Sequence, residues 1–167
     1  RSASCPQVLR GGVMQLESMY QDIILDHYRN PVGKGELVPF DAEVHHVNPT
    51  CGDEITLRVR LSQGVIEEVG HIGQGCSISQ ASASVMVELV TGRNVTAALE
   101  IESAFLDLMQ SRGRSVPDEE VLEDAVAFAG VSKYPARVKC ALLPWMALKD
   151  AVLRVRTEEP TTHDKEK

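Results

Sequence analysis

Hydrophobic and polar residues alternate strictly between positions 53 and 61. One face carries Ile55, Leu57, Val59 and Leu61, and the other carries Thr56, Arg58 and Arg60. This alternation indicates a half-buried strand. The Ser62-Gln63-Gly64 turn predicts a hairpin into a second strand over residues 65–72, and residues 43–47 predict a weaker strand before both. The pattern therefore predicts a small antiparallel sheet of three strands.

A helical repeat replaces this alternation on both sides of the sheet. Apolar residues over positions 19–29 share one face, and Asn30-Pro31-Val32-Gly33 ends that helix. The segment after Cys76 has helical spacing up to Thr91-Gly92, and further helices are predicted over residues 94–110 and 118–128. A last amphipathic helix is predicted from residue 141 onward. We therefore predict an α+β fold, a small three-stranded antiparallel sheet packed against several helices.

Length and composition fit one ordinary globular domain. The chain has 167 residues, of which 43% are hydrophobic and 25% charged, values typical of folded proteins. The segment before Met19 lacks periodicity, and the end of the chain is polar. We predict a flexible N-terminal extension over residues 1–18, a domain over 19–156 and a disordered tail over 157–167.

Charge and hydropathy exclude two classes of partner. A net charge of -7 without a basic stripe argues against nucleic-acid binding, which needs clustered Lys and Arg. No run of roughly 18 apolar residues predicts a membrane span, and residues 1–18 do not resemble a signal peptide. We therefore expect a cytoplasmic protein, in which four cysteines are metal ligands or reactive thiols rather than disulfides.

Cys51 and Asp53 flank Gly52 where the Asn48-Pro49-Thr50 turn gives way to the predicted strand. Alternation is expected to place both side chains on the same side of the chain, and the missing Cβ of Gly52 to let another segment approach. An aspartate beside a turn is more often a solvated or turn-capping carboxylate. Its position beside Cys51 makes Asp53 a candidate ligand.

Two further cysteines precede or begin predicted helices. Cys76 follows Gly73-Gln74-Gly75, and the positive end of the next helix favours its thiolate. Because a hairpin returns to the end of the sheet that it left, Cys76 is expected near Cys51. Cys140 is expected to begin the final helix, since Pro144 is tolerated in a first turn.

Sequence spacing does not bring Cys140 to the other two cysteines. If it joins them, three thiolates and a carboxylate form the tetrahedral set that zinc prefers. The chain has no CxxC pair, so metal binding and ordinary buried or reactive thiols both stay open on spacing alone. Cys5 lies in an unpatterned segment, and we interpret it as an incidental terminal thiol.

Three segments around these cysteines carry a family resemblance. They are Asn48-Pro-Thr-Cys-Gly-Asp53, Gly73-Gln-Gly-Cys-Ser-Ile-Ser-Gln-Ala-Ser-Ala-Ser84 and Ala136-Arg-Val-Lys-Cys-Ala141. Together they closely resemble the motifs of SufU-type iron–sulfur cluster assembly proteins, which are relatives of the IscU and NifU scaffolds. The Asp26-His-Tyr-Arg-Asn-Pro31 segment matches as well. The resemblance implies a SufE/NifU-like version of the predicted α+β fold.

The resemblance also implies roles for individual residues. Cys51, Asp53, Cys76 and Cys140 become zinc ligands, Cys51 receives persulfide sulfur from a cysteine desulfurase of the SufS type, and Arg137 gives electrostatic support. The implied partners are this desulfurase and downstream SUF assembly proteins. The implied mechanism is that zinc keeps the thiolates assembled until the docked partner frees Cys51 by exchanging a ligand.

Two departures separate the branches of the family. IscU-type scaffolds typically carry histidine immediately before the third cysteine, whereas this chain carries Lys139, and its long stretch between Cys76 and Cys140 resembles the SufU insertion. Both favour a zinc-dependent sulfurtransferase. The alternatives are a scaffold on which clusters are assembled and transferred, with a transient iron–sulfur cluster on the same cysteines, and zinc that serves folding only.

The neighbouring histidines His45 and His46 superficially look like a metal-binding pair. Adjacent residues of a strand point to opposite faces, so the two side chains do not readily chelate one ion. We therefore predict that both, together with His71, are ordinary strand histidines.

Overall fold

The computed structural model describes residues 18–158 and contains, within them, one sheet, five α-helices and one 3-10 helix. In chain order the elements are α1 (residues 18–29), β1 (Ala42–Asn48), β2 (Asp53–Ser62), β3 (Val65–Gln74), α2 (Ser77–Val90), α3 (Val95–Gln110), α4 (Glu119–Leu122), the 3-10 helix (Glu123–Lys133) and α5 (Pro135–Glu158). Residues 1–17 of the predicted extension and 159–167 of the predicted tail lie outside the described residues.

The sheet is antiparallel in the order β1-β2-β3, so β2 is central. Asn48 at the end of β1 pairs with Asp53 at the start of β2, and Glu54 pairs with Gln74 at the end of β3. The first three apolar residues on the predicted face of β2 are buried. The predicted fold class is confirmed, and the register brings the β1–β2 turn and the end of β3 to one edge.

The hydrophobic core lies between one face of the sheet and the helices. Helix α5 contacts β1 and β2, while α2 contacts β3 and α5. The largest fully buried side chains include Trp145, Phe105, Phe128, Leu57, Ile66 and Met86. This packing holds α2 and α5 against the sheet and against each other.

Trp145 of α5 connects three helices. Its ring stacks on Phe105 of α3, with centroids 4.7 Å apart, and its Nε1 donates to the Ser82 Oγ of α2 at 3.1 Å. The Ser82 hydroxyl in turn donates to the carbonyl oxygen of Ala141 at 2.6 Å. Since Ala141 follows Cys140, this network ties the cysteine-bearing part of α5 to α2.

The prediction that Cys140 begins the last helix is wrong. Helix α5 begins at Pro135 and contains Pro144 in its interior. Proline is well suited to the first helical position, because its N–H would be unpaired there in any case. An internal proline costs about 3 kcal/mol, and burial of the neighbouring Leu143 and Trp145 offsets this cost. Cys140 therefore lies one turn inside α5.

The predicted helix over residues 118–128 is also only partly correct. Helix α4 is one turn long, Glu123 has a φ of +45°, and a 3-10 helix follows. Within the 3-10 helix, Ala125, Phe128 and Val131 are buried and recur every third residue. A 3-10 helix has three residues per turn, so this spacing puts these three side chains on one face.

The three histidines predicted in strands lie there. His45 and His46 belong to β1, and His46 Nε2 is 2.8 Å from Asp150 Oδ2 of α5. His71 belongs to β3, and burial lowers its pKa although its Nε2 lies 3.0 Å from the carbonyl oxygen of Val32. Across residues 18–158, no helix has both the length and the apolarity required to cross a bilayer.

Candidate metal centre

Cys51 lies in the turn between β1 and β2, and Asp53 is the first residue of β2. Strand alternation therefore does not orient Cys51, contrary to our expectation. The chain instead turns at Gly52, whose φ of +72° lies in the left-handed region that glycine adopts without strain. No atom lies within 4 Å of the position that a Cβ of Gly52 would occupy, so the glycine serves the turn and not the approach of another segment.

Cys76 is the residue immediately before α2 and contacts Asp53 directly. Its backbone N–H donates to Asp53 Oδ1 at 3.0 Å, and its Sγ lies 3.9 Å from Asp53 Oδ2. The Asp53 side chain is buried, with 2% of the residue exposed. The predicted return of the hairpin to this edge is confirmed, and the contact fixes the orientation of the Asp53 carboxylate.

Cys140 reaches the same site from α5. Its Sγ lies 3.7 Å from the carbonyl oxygen of Ala136, and Cys51 Sγ lies 3.9 Å from the same oxygen. The tertiary structure thus supplies the convergence of Cys140 with Cys51 that sequence spacing left open.

Three of the four predicted ligands form one compact set. One ligand atom each from Cys51, Asp53 and Cys140 lies within 4.8 Å of the other two. The Cys76 Sγ stands beside this set, near Asp53 Oδ2 and the Cys140 thiol, rather than within it.

The three thiols differ in their access to solvent. Cys51 is exposed, Cys76 is half-buried and Cys140 is buried. Burial raises the pKa of the Cys140 thiol, and hydrogen bonds with Asp53, Cys51 and Cys76 raise it further. Cys51 is thus the thiol that a large partner can reach.

The donor set has the chemistry that zinc requires. Zinc in proteins is held by four donors, usually thiolates, imidazoles and carboxylates, and a bound ion replaces the protons of its thiol ligands. Cys51, Cys76, Cys140 and Asp53 supply three sulfurs and one carboxylate at one edge of the sheet. These residues fit zinc, and their ligation of it stays a prediction.

Arg137 and Lys139 are exposed residues of α5, close in sequence to Cys140. The backbone N–H of Arg137 donates to the carbonyl oxygen of Tyr134 at 2.9 Å. The described residues offer its guanidinium no hydrogen-bond partner. The predicted electrostatic support by Arg137 stays a prediction.

A second group of possible ligands was not predicted from the sequence. His27, Glu88 and Asp124 each place a ligand atom within 4.8 Å of the other two. His27 Nδ1 is 2.8 Å from Ser84 Oγ, and its Nε2 is 3.0 Å from Asp124 Oδ2. Both ring nitrogens of the buried His27 have partners within the protein, so we interpret this group as a link between α1, α2 and the 3-10 helix.

Gly75 gives a test of the site geometry. A Cβ at Gly75 would collide with the Ser79 hydroxyl and lie 2.7 Å from Asp53 Oδ1. We expect Gly75→Ala to displace the Asp53 carboxylate and to weaken zinc binding by about tenfold, the scale seen when a group that orients a ligand is lost. Competition with a chromogenic chelator measures this affinity.

The matched control is Gly130→Ala, because no atom lies within 4 Å of a Cβ at Gly130. This variant is expected to bind zinc as the unmodified chain does. Equal zinc affinity of the Gly75→Ala and Gly130→Ala variants would contradict the proposed role of the Asp53 carboxylate.

Comparison with known proteins assigns the family. The NifU-like N-terminal domain family matches residues 19–141. The chain is 43% identical over 139 residues to the zinc-dependent sulfurtransferase SufU of Bacillus subtilis, covering 83% of this chain and 92% of that protein. It is 39% identical over 140 residues to the iron–sulfur cluster assembly scaffold protein IscU of Streptococcus pyogenes, covering 84% of this chain and 86% of that protein.

Solved structures agree with this assignment. A crystal structure from Fervidobacterium islandicum, proposed as a scaffold for iron–sulfur cluster assembly in the SUF system, is 35% identical and superposes with a TM-score of 0.72 over 78% of this chain and 93% of that chain. An N-terminal NifU-like protein from Brucella abortus is 25% identical, with a TM-score of 0.75 over 81% and 93% of the two chains. The chain therefore belongs to the family of NifU-like N-terminal domains, the family that its three cysteine motifs resemble.

Proposed function

We propose that this chain serves iron–sulfur cluster assembly as a zinc-dependent sulfurtransferase that accepts persulfide sulfur from a cysteine desulfurase. The observation that carries the proposal is the exposed thiol of Cys51, with its ligand atom within 4.8 Å of those of Asp53 and the buried Cys140. The Cys51 sulfur is thus accessible to a partner, whereas the donor atoms of Asp53 and Cys140 are buried. The 43% identity to a zinc-dependent sulfurtransferase supports the same activity.

The proposal extends to the partner proteins and to the cellular compartment. We propose a desulfurase of the SufS type and downstream SUF assembly proteins as partners, in the cytoplasm, where reducing conditions keep the thiols free. A solved relative with a TM-score of 0.72 is itself proposed to act in the SUF system, which supports this choice.

Cys51, Asp53, Cys76 and Cys140 are the residues that would hold zinc. A bound zinc ion keeps its thiolate ligands deprotonated and has no redox chemistry of its own. The N–H of Cys76 orients the Asp53 carboxylate, and burial of Cys140 keeps that thiol away from outside reagents. Among these three thiols, Cys51 is the one most accessible to a partner.

Sulfur transfer to Cys51 is a thiol exchange. The Cys51 thiolate attacks the terminal sulfur of the desulfurase persulfide, and a new sulfur–sulfur bond forms on Cys51. The bond between the two sulfurs of the desulfurase breaks, and the desulfurase cysteine leaves as a thiolate. The transferred sulfur keeps its proton, so charge and atoms balance without an added oxidant or reductant.

A scaffold is the competing function, because three thiols at one site are also the ligands of iron–sulfur clusters. The relatives include scaffold proteins at 39% identity. Lys139 offers no imidazole beside Cys140, which favours sulfur transfer over cluster assembly at this site.

The test begins with the purified full-length chain. Its metal content is measured, and the chain is then added to a SufS-type desulfurase with cysteine as the sulfur source. We expect about one zinc per chain, faster desulfurase turnover and one additional sulfur atom on the peptide that contains Cys51. Mass spectrometry after alkylation locates that sulfur.

A different set of results would establish the scaffold. The chain would then be isolated without zinc, would carry a stable cluster with its visible absorption, and would leave the desulfurase rate unchanged. That outcome would overturn the proposed sulfurtransferase.

A further inference from the structure

A groove of about 370 Å³ lies beside the candidate metal centre. Its lining is mainly apolar and comes from four elements. Tyr20 and Ile24 belong to α1, Ile78 to α2, Val131 to the 3-10 helix and Arg137 to α5. The groove is therefore part of the packed domain and not a feature of one loop.

The rim of this groove carries positive charge. Lys133 and Arg137 line it, and both are exposed. Neither side chain forms an ion pair with any carboxylate in the described part of the chain. On a protein with a net charge of -7, two unpaired cations at one rim make a local surface that attracts acidic groups.

The lining of the groove also includes residues that lie close in sequence to two of the cysteines. Ile78 stands two residues after Cys76 at the start of α2, and Arg137 precedes Cys140 in α5. The carbonyl oxygen of Ala136, next to Arg137, lies 3.9 Å from Cys51 Sγ. A partner that occupies the groove thus covers the surface beside Cys51.

We propose that this groove is the docking site of the cysteine desulfurase, and that it receives an apolar side chain flanked by carboxylates from the surface around the persulfide. The inference rests on the proposed function and extends it. Persulfide sulfur must reach bonding distance of Cys51, so the partner has to be anchored close by. The apolar floor of the groove anchors the partner's apolar side chain, and Lys133 and Arg137 attract the carboxylates around it.

Gly130 permits a direct test, because it lines the groove and a side chain there meets open space. Gly130→Phe adds an aromatic ring at the wall of the groove, at a position where the first side-chain carbon meets no neighbouring atom within 4 Å. Gly130→Ala is the matched control, since it changes the same backbone position and leaves most of the groove open.

Lys133 permits an independent test through charge. Lys133→Glu reverses the sign at the rim, and Arg156→Glu makes the same change near the opposite end of α5. Arg156 is exposed and does not line the groove, so this control separates local charge from net charge. The charge test remains informative if Gly130→Phe does not fold.

The dissociation constant is measured by titrating the full-length zinc-loaded chain against the desulfurase. We expect Gly130→Phe to weaken binding at least about tenfold, as loss of an anchoring pocket does. Lys133→Glu is expected to weaken it about fivefold and to reduce its dependence on salt. Both controls are expected to stay within about twofold of the unmodified chain.

Alkylation of Cys51 by iodoacetamide and zinc content distinguish this inference from the proposed function. Both are expected to be unchanged in Gly130→Phe, because the variant alters docking alone. If the unmodified chain takes up no sulfur from the desulfurase, the proposed function fails. If it does take up sulfur, and Gly130→Phe and Lys133→Glu bind the desulfurase normally, the docking site is overturned.

Other occupants of the groove give distinct results. If Gly130→Phe converts a dimer to a monomer without affecting desulfurase binding, the occupant is a second copy of the chain. If deletion of residues 1–17 opens the groove to an apolar dye, the occupant is the chain's own N-terminal segment. Either result would overturn the proposal.

Discussion

Cys51→Ala is expected to lower sulfur uptake from the desulfurase by at least about 10³-fold, the scale of losing a nucleophile, and to leave the protein folded. Cys51 is exposed in a turn, so its thiol buries little surface. Cys76, Cys140 and Asp53 remain in place. The measurement is sulfur bound per chain after incubation with the desulfurase and cysteine, together with the far-ultraviolet circular dichroism spectrum.

Cys5→Ala is the control for this experiment, because it also removes one thiol from the chain. Its sulfur uptake is expected to equal that of the unmodified protein. Two outcomes would contradict the prediction. Continued sulfur uptake by Cys51→Ala would assign the acceptor role to another cysteine, and unfolding of this variant would show that the site serves folding only.

Trp145→Ala is expected to lower the free energy of unfolding by about 3–5 kcal/mol, the usual cost of removing a fully buried aromatic residue. The variant loses the stack on Phe105 and the hydrogen bond to Ser82. Because these contacts hold α2 against α5, we also expect weaker zinc binding through Cys76 and Cys140. Urea unfolding followed by circular dichroism measures the stability.

Met146→Ala is the matched control, because Met146 is the next residue of α5 and is 40% exposed. Its expected cost stays below about 1 kcal/mol, as for most surface substitutions. A similar loss of stability in both variants would mean that Trp145 does not connect the helices as described. Trp145→Phe, which keeps an aromatic ring but loses the N–H donor, is expected to fall between the two.

The sheet was predictable because its signals are local. A strand that is buried on one face needs alternating side chains, and a tight turn needs residues such as those at positions 62–64. The helix boundaries were less predictable. Pro144 lies inside α5 and Glu123 has a positive φ, and both are tolerated because tertiary packing offsets local costs that a sequence pattern treats as breaks.

Part of the site was predictable in the same local way. Cys51 and Asp53 sit on the two sides of one glycine, and the hairpin brings Cys76 to Asp53. Burial of Cys140 beside them was not predictable from spacing, because a long helical segment separates Cys76 from Cys140. The groove lined by α1, α2, the 3-10 helix and α5 belongs to no single segment and left no sequence signal.

Local periodicity, turn residues and the three cysteine motifs specified the strands, most helices and the residues that carry the chemistry. Packing of α2 and α5 against the sheet decided which of those residues meet. It places Cys140 within 4.8 Å of Cys51 and Asp53 and leaves Cys51 alone exposed among the three described thiols. The physical reason is that side-chain periodicity reports burial along one segment, whereas distances between segments depend on how buried surfaces from the whole chain fit together.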